Sequence, residues 1–108
     1  MYDSDLTLVI YDSVEALYDK DHAQAFTSAA ANFANATTNR TAVLSATSQF
    51  AQALTLTVKT PETTVATDAC FPSYFAVMET LRLYQTPENK HLAVDLWSRL
   101  EALIAHAE

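Results

Sequence analysis

Glycine is absent from all 108 residues. Phosphate-cradling loops, dinucleotide folds and nucleophile elbows need a residue without a Cβ, because the backbone must approach a phosphate closely or turn through positive φ. Those enzyme classes are therefore not expected. Tight primed hairpins favour glycine as well, which argues against an all-β meander. The single cysteine, Cys70, cannot close an internal disulfide. No uninterrupted apolar run nears the roughly 20 residues of a membrane span. The opening Met1-Tyr2-Asp3-Ser4-Asp5 carries acids where a secretory leader carries positive charge, so a cytoplasmic protein without membrane contact is expected. Cations are also scarce: 6 Lys and Arg, scattered along the chain, face 13 Asp and Glu, which argues against direct nucleic-acid binding.

What the chain does carry is alanine-rich sequence with Leu, Gln and Glu, all good helix formers. Half of the residues are apolar and the mean hydropathy is +0.02, values that suit one compact domain over residues 1–108 and not a disordered tail. Apolar residues recur at helical spacing in five segments. The first follows a capping Asp/Ser cluster and runs from about Leu6 to Asp19, with Leu6, Ile10, Val14 and Leu17 on one face. Its strand-favouring run Leu6–Tyr11 leaves a short strand as the alternative. A capping-box variant, Asp21 then Gln24, opens a second helix from about His22 to Ala36, with Phe26, Ala29, Ala30 and Phe33 in one stripe.

After the break Thr37-Thr38-Asn39, a third helix begins near Arg40 and presents Val43, Thr47, Phe50, Ala51, Leu54 and Val58 on one side. It must end near Pro61, and its alternating end, Leu54–Val58, leaves helix or strand open. The stretch Thr60–Asp68 is the one obvious connector. Pro72 fits the first turn of a fourth helix reaching about Gln85, with Phe71, Tyr74, Phe75, Met78 and Leu81 inward and Val77 and Tyr84 widening that face. Thr86-Pro87-Glu88 then starts a fifth, with Leu92, Ala93, Leu96, Trp97, Leu100, Leu103 and Ile104 inward. Short connections favour antiparallel neighbours, so the expected fold is all-α, an up-and-down bundle of four or five antiparallel helices.

Charge is unevenly placed. Residues 1–21 carry six acids against Lys20, a net of −5 out of −7, whereas residues 22–61 contain no acid at all. On a helical wheel Asp5, Asp12, Glu15 and Asp19 gather opposite the apolar face of the first helix, with Tyr11 and Tyr18 beside them. This ridge is the expected contact for a partner protein with a basic surface, the alternative being a plain solvated face. The outer sides of the second and third helices are small and uncharged, including Ser28, Ala31 and Asn35 on one and Ser45, Ser48, Gln49 and Gln52 on the other. Depletion of charge marks interface cores, so Ser28, Ala31, Asn35, Ser45, Gln49 and Gln52 are the candidate self-association residues of a possible homodimer.

Chemistry is harder to find. Glu88-Asn89-Lys90-His91 offers one Glu-x-x-His, a spacing that di-iron bundles use twice, and only one copy exists. A polar network of His91, Asp95 and Arg99 accounts for it more simply. Cys70 lacks a sequence-neighbouring cation to activate it and reads as a small buried hydrophobe. Catalytic, cofactor and metal residues are therefore not assigned. One further alternative is a small-molecule pocket between the last two helices, lined by Tyr74, Met78, Tyr84 and Trp97.

The stretch Asp5-Leu6-Thr7-Leu8-Val9-Ile10-Tyr11-Asp12 resembles the opening helix of flagellin export chaperones, small acidic helical bundles with a leucine-tyrosine-aspartate motif. The resemblance covers fewer than a tenth of the residues, has Ile10 and Ser13 where that family has leucine and glycine, and carries over no binding residue. The expectation from the residues themselves is a non-enzymatic protein that acts by binding another protein, as an adaptor, chaperone or small inhibitor. A metal-dependent enzyme using Glu88 and His91 inside the bundle is the enzymatic alternative.

Overall fold

Five helices form in the expected order: α1 (Asp3–Glu15), α2 (Lys20–Asn35), α3 (Arg40–Val58), α4 (Phe71–Tyr84) and α5 (Lys90–Ala107), with no strand among the described residues. The computed structural model describes residues 3–58 and 71–107, with side chains over 6–55 and 72–105. The expected connector Thr60–Asp68 and Cys70 lie outside the described residues. Both ambiguous stretches are helical, Leu6–Tyr11 within α1 and Leu54–Val58 at the end of α3. Burial explains the choice: Ile10 with Val14, and Phe50 with Leu54, are buried four residues apart, a spacing that brings side chains together on a helix.

The chain turns where polar side chains can stop it. α1 ends at Glu15, about a turn before the expected Asp19. Asp19 is instead extended (φ −161°, ψ 179°) and caps α2, its carboxylate accepting the His22 N–H at 2.8 Å. The cap thus lies two residues ahead of the Asp21–Gln24 pair proposed for it. Asn39 caps α3 in the same way, through the Ala42 N–H at 3.1 Å. With no glycine, the residue that most favours a left-handed helix close is missing from the sequence. α2 ends on Ala36 at φ −94°, ψ 8°, and tight three-residue bonds finish it: Ala36 N–H to the Phe33 carbonyl (3.0 Å) and Thr37 N–H to the Ala34 carbonyl (3.1 Å).

α2 and α3 form the centre of the molecule. α1 lies across both, α4 packs on α3, and α5 packs on α2. The core between them holds Phe26, Phe33, Phe50, Leu44, Leu54, Leu96, Leu100 and Leu103, all fully buried, with the Phe26 and Phe50 rings tilted and 6.2 Å apart. At roughly 1.5–3 kcal/mol for each large apolar side chain removed from water, this cluster is the main favourable term of the fold. The radius of gyration, 12.8 Å, matches the value of about 13 Å expected for a compact chain of this length. No helix among the described residues is long and apolar enough to cross a membrane.

Asn89 closes the bundle at one end. It is only 2% exposed. Its side-chain amide donates to the carbonyls of Ala36 (3.2 Å) and Tyr84 (3.1 Å), and its side-chain oxygen accepts the Thr86 N–H (2.7 Å). The Thr86 hydroxyl returns the contact by accepting the Asn89 N–H at 3.2 Å. One buried amide therefore joins the ends of α2 and α4 to the start of α5. Across the bundle, the Tyr18 hydroxyl donates to the Leu103 carbonyl at 2.6 Å and ties the α1–α2 turn to α5.

Candidate functional site

The acidic ridge of α1 survives only in part. Asp12 and Glu15 are exposed on the helix and share a strip with Leu8, which is 58% exposed. The Asp5 side chain lies outside the described residues. Tyr11 is half-buried against the core edge; that burial, and then the neighbouring Glu15 carboxylate, raises its pKa. Tyr18 and Asp19 do not belong to the ridge, because both lie beyond the end of α1. Tyr18 turns toward α5, and burial pushes its pKa up to about 12. The Asp19 carboxylate is engaged by the backbone N–H of His22 and by its ring Nδ1 at 2.8 Å, which holds its pKa below the usual value.

The six proposed self-association residues fall on two separate stripes. Ser28 and Asn35 are exposed and Ala31 half-buried on α2; Gln49 and Gln52 are exposed and Ser45 half-buried on α3. α2 packs against α1, α3 and α5, and α3 against α1, α2 and α4, so each central helix keeps only a narrow exposed stripe. Ser48, expected outside, is buried: it shares a face with Thr55, whose hydroxyl reaches the Ser13 carbonyl of α1 at 3.3 Å. The exposed amides are used locally, Gln52 donating to the Ser48 carbonyl (3.3 Å) and Asn35 accepting from Arg40.

Glu88 and His91 are both exposed, one on the turn before α5 and one in its first turn, so neither enters the bundle interior. Among the described residues no group of three or more His, Cys, Asp or Glu is placed to hold a metal ion. Asp95 pairs with Arg99 at 3.3 Å, as the helical spacing predicts.

A largely apolar surface feature lies between α4 and α5. These helices run antiparallel with few close backbone contacts, and between them opens a cleft of about 300 Å³ lined by Met78, Leu81, Arg82, Gln85, Ala93, Val94 and Trp97. Trp97 is 44% exposed, Val94 47% and the neighbouring Phe75 56%. This corrects the inward placement expected of Phe75 and Trp97. The reason is geometric: so wide an apolar face needs two packing neighbours, but α4 packs closely only on α3, and Val77 takes the fully buried position. Met78 and Trp97 line the cleft as expected; Tyr74 and Tyr84 do not. Tyr74 marks its far end, donating to the Glu101 carboxylate at 2.7 Å, and this bond and then burial raise its pKa. Arg82 is held by Glu79 through two contacts of 3.1 and 2.5 Å, which keep the arginine charged and lower the carboxyl pKa.

Sequence reasoning missed Val94, Arg82 and Gln85. The signal for Val94 was the spacing Lys90, Val94, Trp97, Glu101, one narrow stripe of α5 outside its buried face, and that for Arg82 and Gln85 their places four and seven residues after Met78. Comparison of the chain with protein-family models, curated proteins and solved structures finds no match.

Proposed function

We propose that this chain is a non-enzymatic protein that acts by binding protein, and that the α4–α5 face is its binding surface. The observation that carries the reading is the exposure of Val94 and Trp97 at one cleft, with Phe75 exposed on α4 about a turn before the cleft residue Met78. Large apolar side chains gathered on a surface are uncommon unless something covers them, and tryptophan is the residue type most often dominant in protein interfaces. The strip extends from Phe75 to Gln85 along α4, about 15 Å of helix, longer than a small ligand needs and suited to another helix.

A second reading is favoured by one detail. The cleft lining combines apolar Met78, Leu81, Ala93, Val94 and Trp97 with polar Arg82 and Gln85 at one end, an arrangement that also fits a small amphiphile with an anionic group. Affinity capture from source cells, with wild type beside Val94→Glu and Trp97→Ala, separates the two. Loss of a specific bound protein in both variants, with helicity unchanged by circular dichroism, is the expected result. A small molecule seen by native mass spectrometry and lost in both variants would instead establish the amphiphile reading.

A further inference from the structure

We infer that the protein bound at the α4–α5 face is a second copy of this chain, its α5 antiparallel to the first, about a two-fold axis that passes over the cleft level with the midpoint between Asp95 and Leu96. This rests on the α4–α5 face being the protein-binding surface. The cleft-side stripe of α5, exposed at Lys90, Val94 and Trp97 and half-buried at Glu101, spaces these residues four, three and four apart. All four lie within about a sixth of a turn on the helical wheel, beside the cleft and away from buried Leu96, Leu100 and Leu103. The stripe is symmetric about its midpoint in position and complementary in chemistry. Turned end for end on itself, it places Lys90 against Glu101 of the second copy and Val94 against Trp97 of the second copy, each contact occurring twice. A surface that satisfies its own reverse is what an isologous two-fold interface requires.

The surrounding geometry agrees. Val94 stands at the wall of the cleft, so the second copy's Trp97 arrives at its mouth and finds Met78, Leu81 and Arg82 there. Its ring covers apolar surface and meets the Arg82 guanidinium, a favourable pairing of cation and aromatic face. Glu101 is already held in place by the Tyr74 hydroxyl, which orients the carboxylate before association. Two helices of 14 and 18 residues side by side present a face of about 500 Å². Two copies then bury about 1,000 Å², the lower end for a specific interface, and the dimer is expected to dissociate at micromolar concentrations. The α2 and α3 stripes offer no such match, since Ser28, Ala31, Asn35, Ser45, Gln49 and Gln52 carry no charge.

The test uses the intact chain and its own tryptophan. Sedimentation equilibrium from sub-micromolar to millimolar concentration is expected to show monomer passing to dimer, with Trp97 emission moving to shorter wavelength as the dimer forms. Val94→Glu sets a carboxylate against the opposing indole and is expected to weaken the dimer by about a hundredfold, with circular dichroism unchanged. Lys90→Glu alone and Glu101→Lys alone each place like charges together twice and should weaken it roughly tenfold. An equimolar mixture of those two variants should recover wild-type affinity as a heterodimer, because every opposed pair is then of opposite sign. Monomer at all concentrations, or a dimer indifferent to Val94→Glu, or a mixture that fails to heterodimerise, each overturns the inference. If the wild type is monomeric while Val94→Glu and Trp97→Ala still lose another captured protein, the binding surface stands and only the second copy is excluded.

Discussion

Asp19 and Tyr18 show how a residue chosen for charge or aromaticity can be committed elsewhere by its backbone. The wheel that grouped Asp19 with Asp12 and Glu15 assumed a helix running through residue 19, yet Asp19 is extended and its oxygen satisfies the open N-terminus of α2. A pH effect follows. Its folded pKa lies below the ordinary value of 3.8, so its stabilisation is fully present above that value and is lost as pH falls through the lower folded value. Asn caps helices about as well but does not titrate. The difference in melting temperature between wild type and Asp19→Asn should therefore shrink as pH falls below about 4. Tyr18 has the opposite sign: with its pKa raised to about 12, its contribution is complete below pH 10 and disappears above 12. Tyr18→Phe should cost about 1 kcal/mol at neutral pH by loss of the bond to Leu103, and the variant should lose less stability than wild type in denaturant titrations at pH 10 and above.

At the scale of elements, helix existence was legible because Ile10, Val14, Phe26, Phe33, Phe50 and Leu54 recur at helical spacing, and all are buried. Helix ends were less so, since either Asp19 or Asp21 could serve as a cap and only packing decides between them. In the run Glu88-Asn89-Lys90-His91 the acid and the imidazole carry the metal-ligand spacing, yet both are exposed and Asn89 is the residue that joins three helix ends. The pattern Thr86-x-x-Asn89 was available as a cap signal, but its reach to Ala36, 53 positions away, is a tertiary fact that no local reading supplies. Asn89→Ala leaves two carbonyls and one N–H without their partner and should cost about 2–4 kcal/mol in urea unfolding. Asn89→Asp keeps the acceptor for Thr86 but turns a carboxylate on the two carbonyl oxygens. It should be more destabilising than Ala at pH 7 and recover part of the loss when acid protonates it, so a variant no less stable than Asn89→Ala across that range would contradict the assigned bonds.

For the molecule as a whole, the candidate surface was half legible for a physical reason. Sequence periodicity reports which residues could face a core, and it marked Phe75 and Trp97 as inward. It does not report how many neighbours a helix finds, and α4 and α5 each find one close neighbour where α2 and α3 each find three. The same difference orders the stability of the parts. Opening α2 or α3 exposes the Phe26, Phe33 and Phe50 cluster and breaks three helix interfaces at once, so their amides should exchange hydrogen only through global unfolding. Opening α4 breaks its packing on α3, the Tyr74–Glu101 bond and the Asn89 contact to Tyr84 while leaving the α1–α2–α3 unit intact. Native-state exchange should therefore rank α2 and α3 slowest and α4 clearly faster. Protein concentration adds a discriminating variable: if two copies meet along Lys90, Val94, Trp97 and Glu101, protection in α4 and α5 rises with concentration while that in α2 and α3 rises only as far as the whole fold is stabilised. Val94→Glu should abolish the concentration dependence and keep the ranking. Uniform protection across all five helices would instead mean that the bundle opens as a single unit despite the gap between α4 and α5.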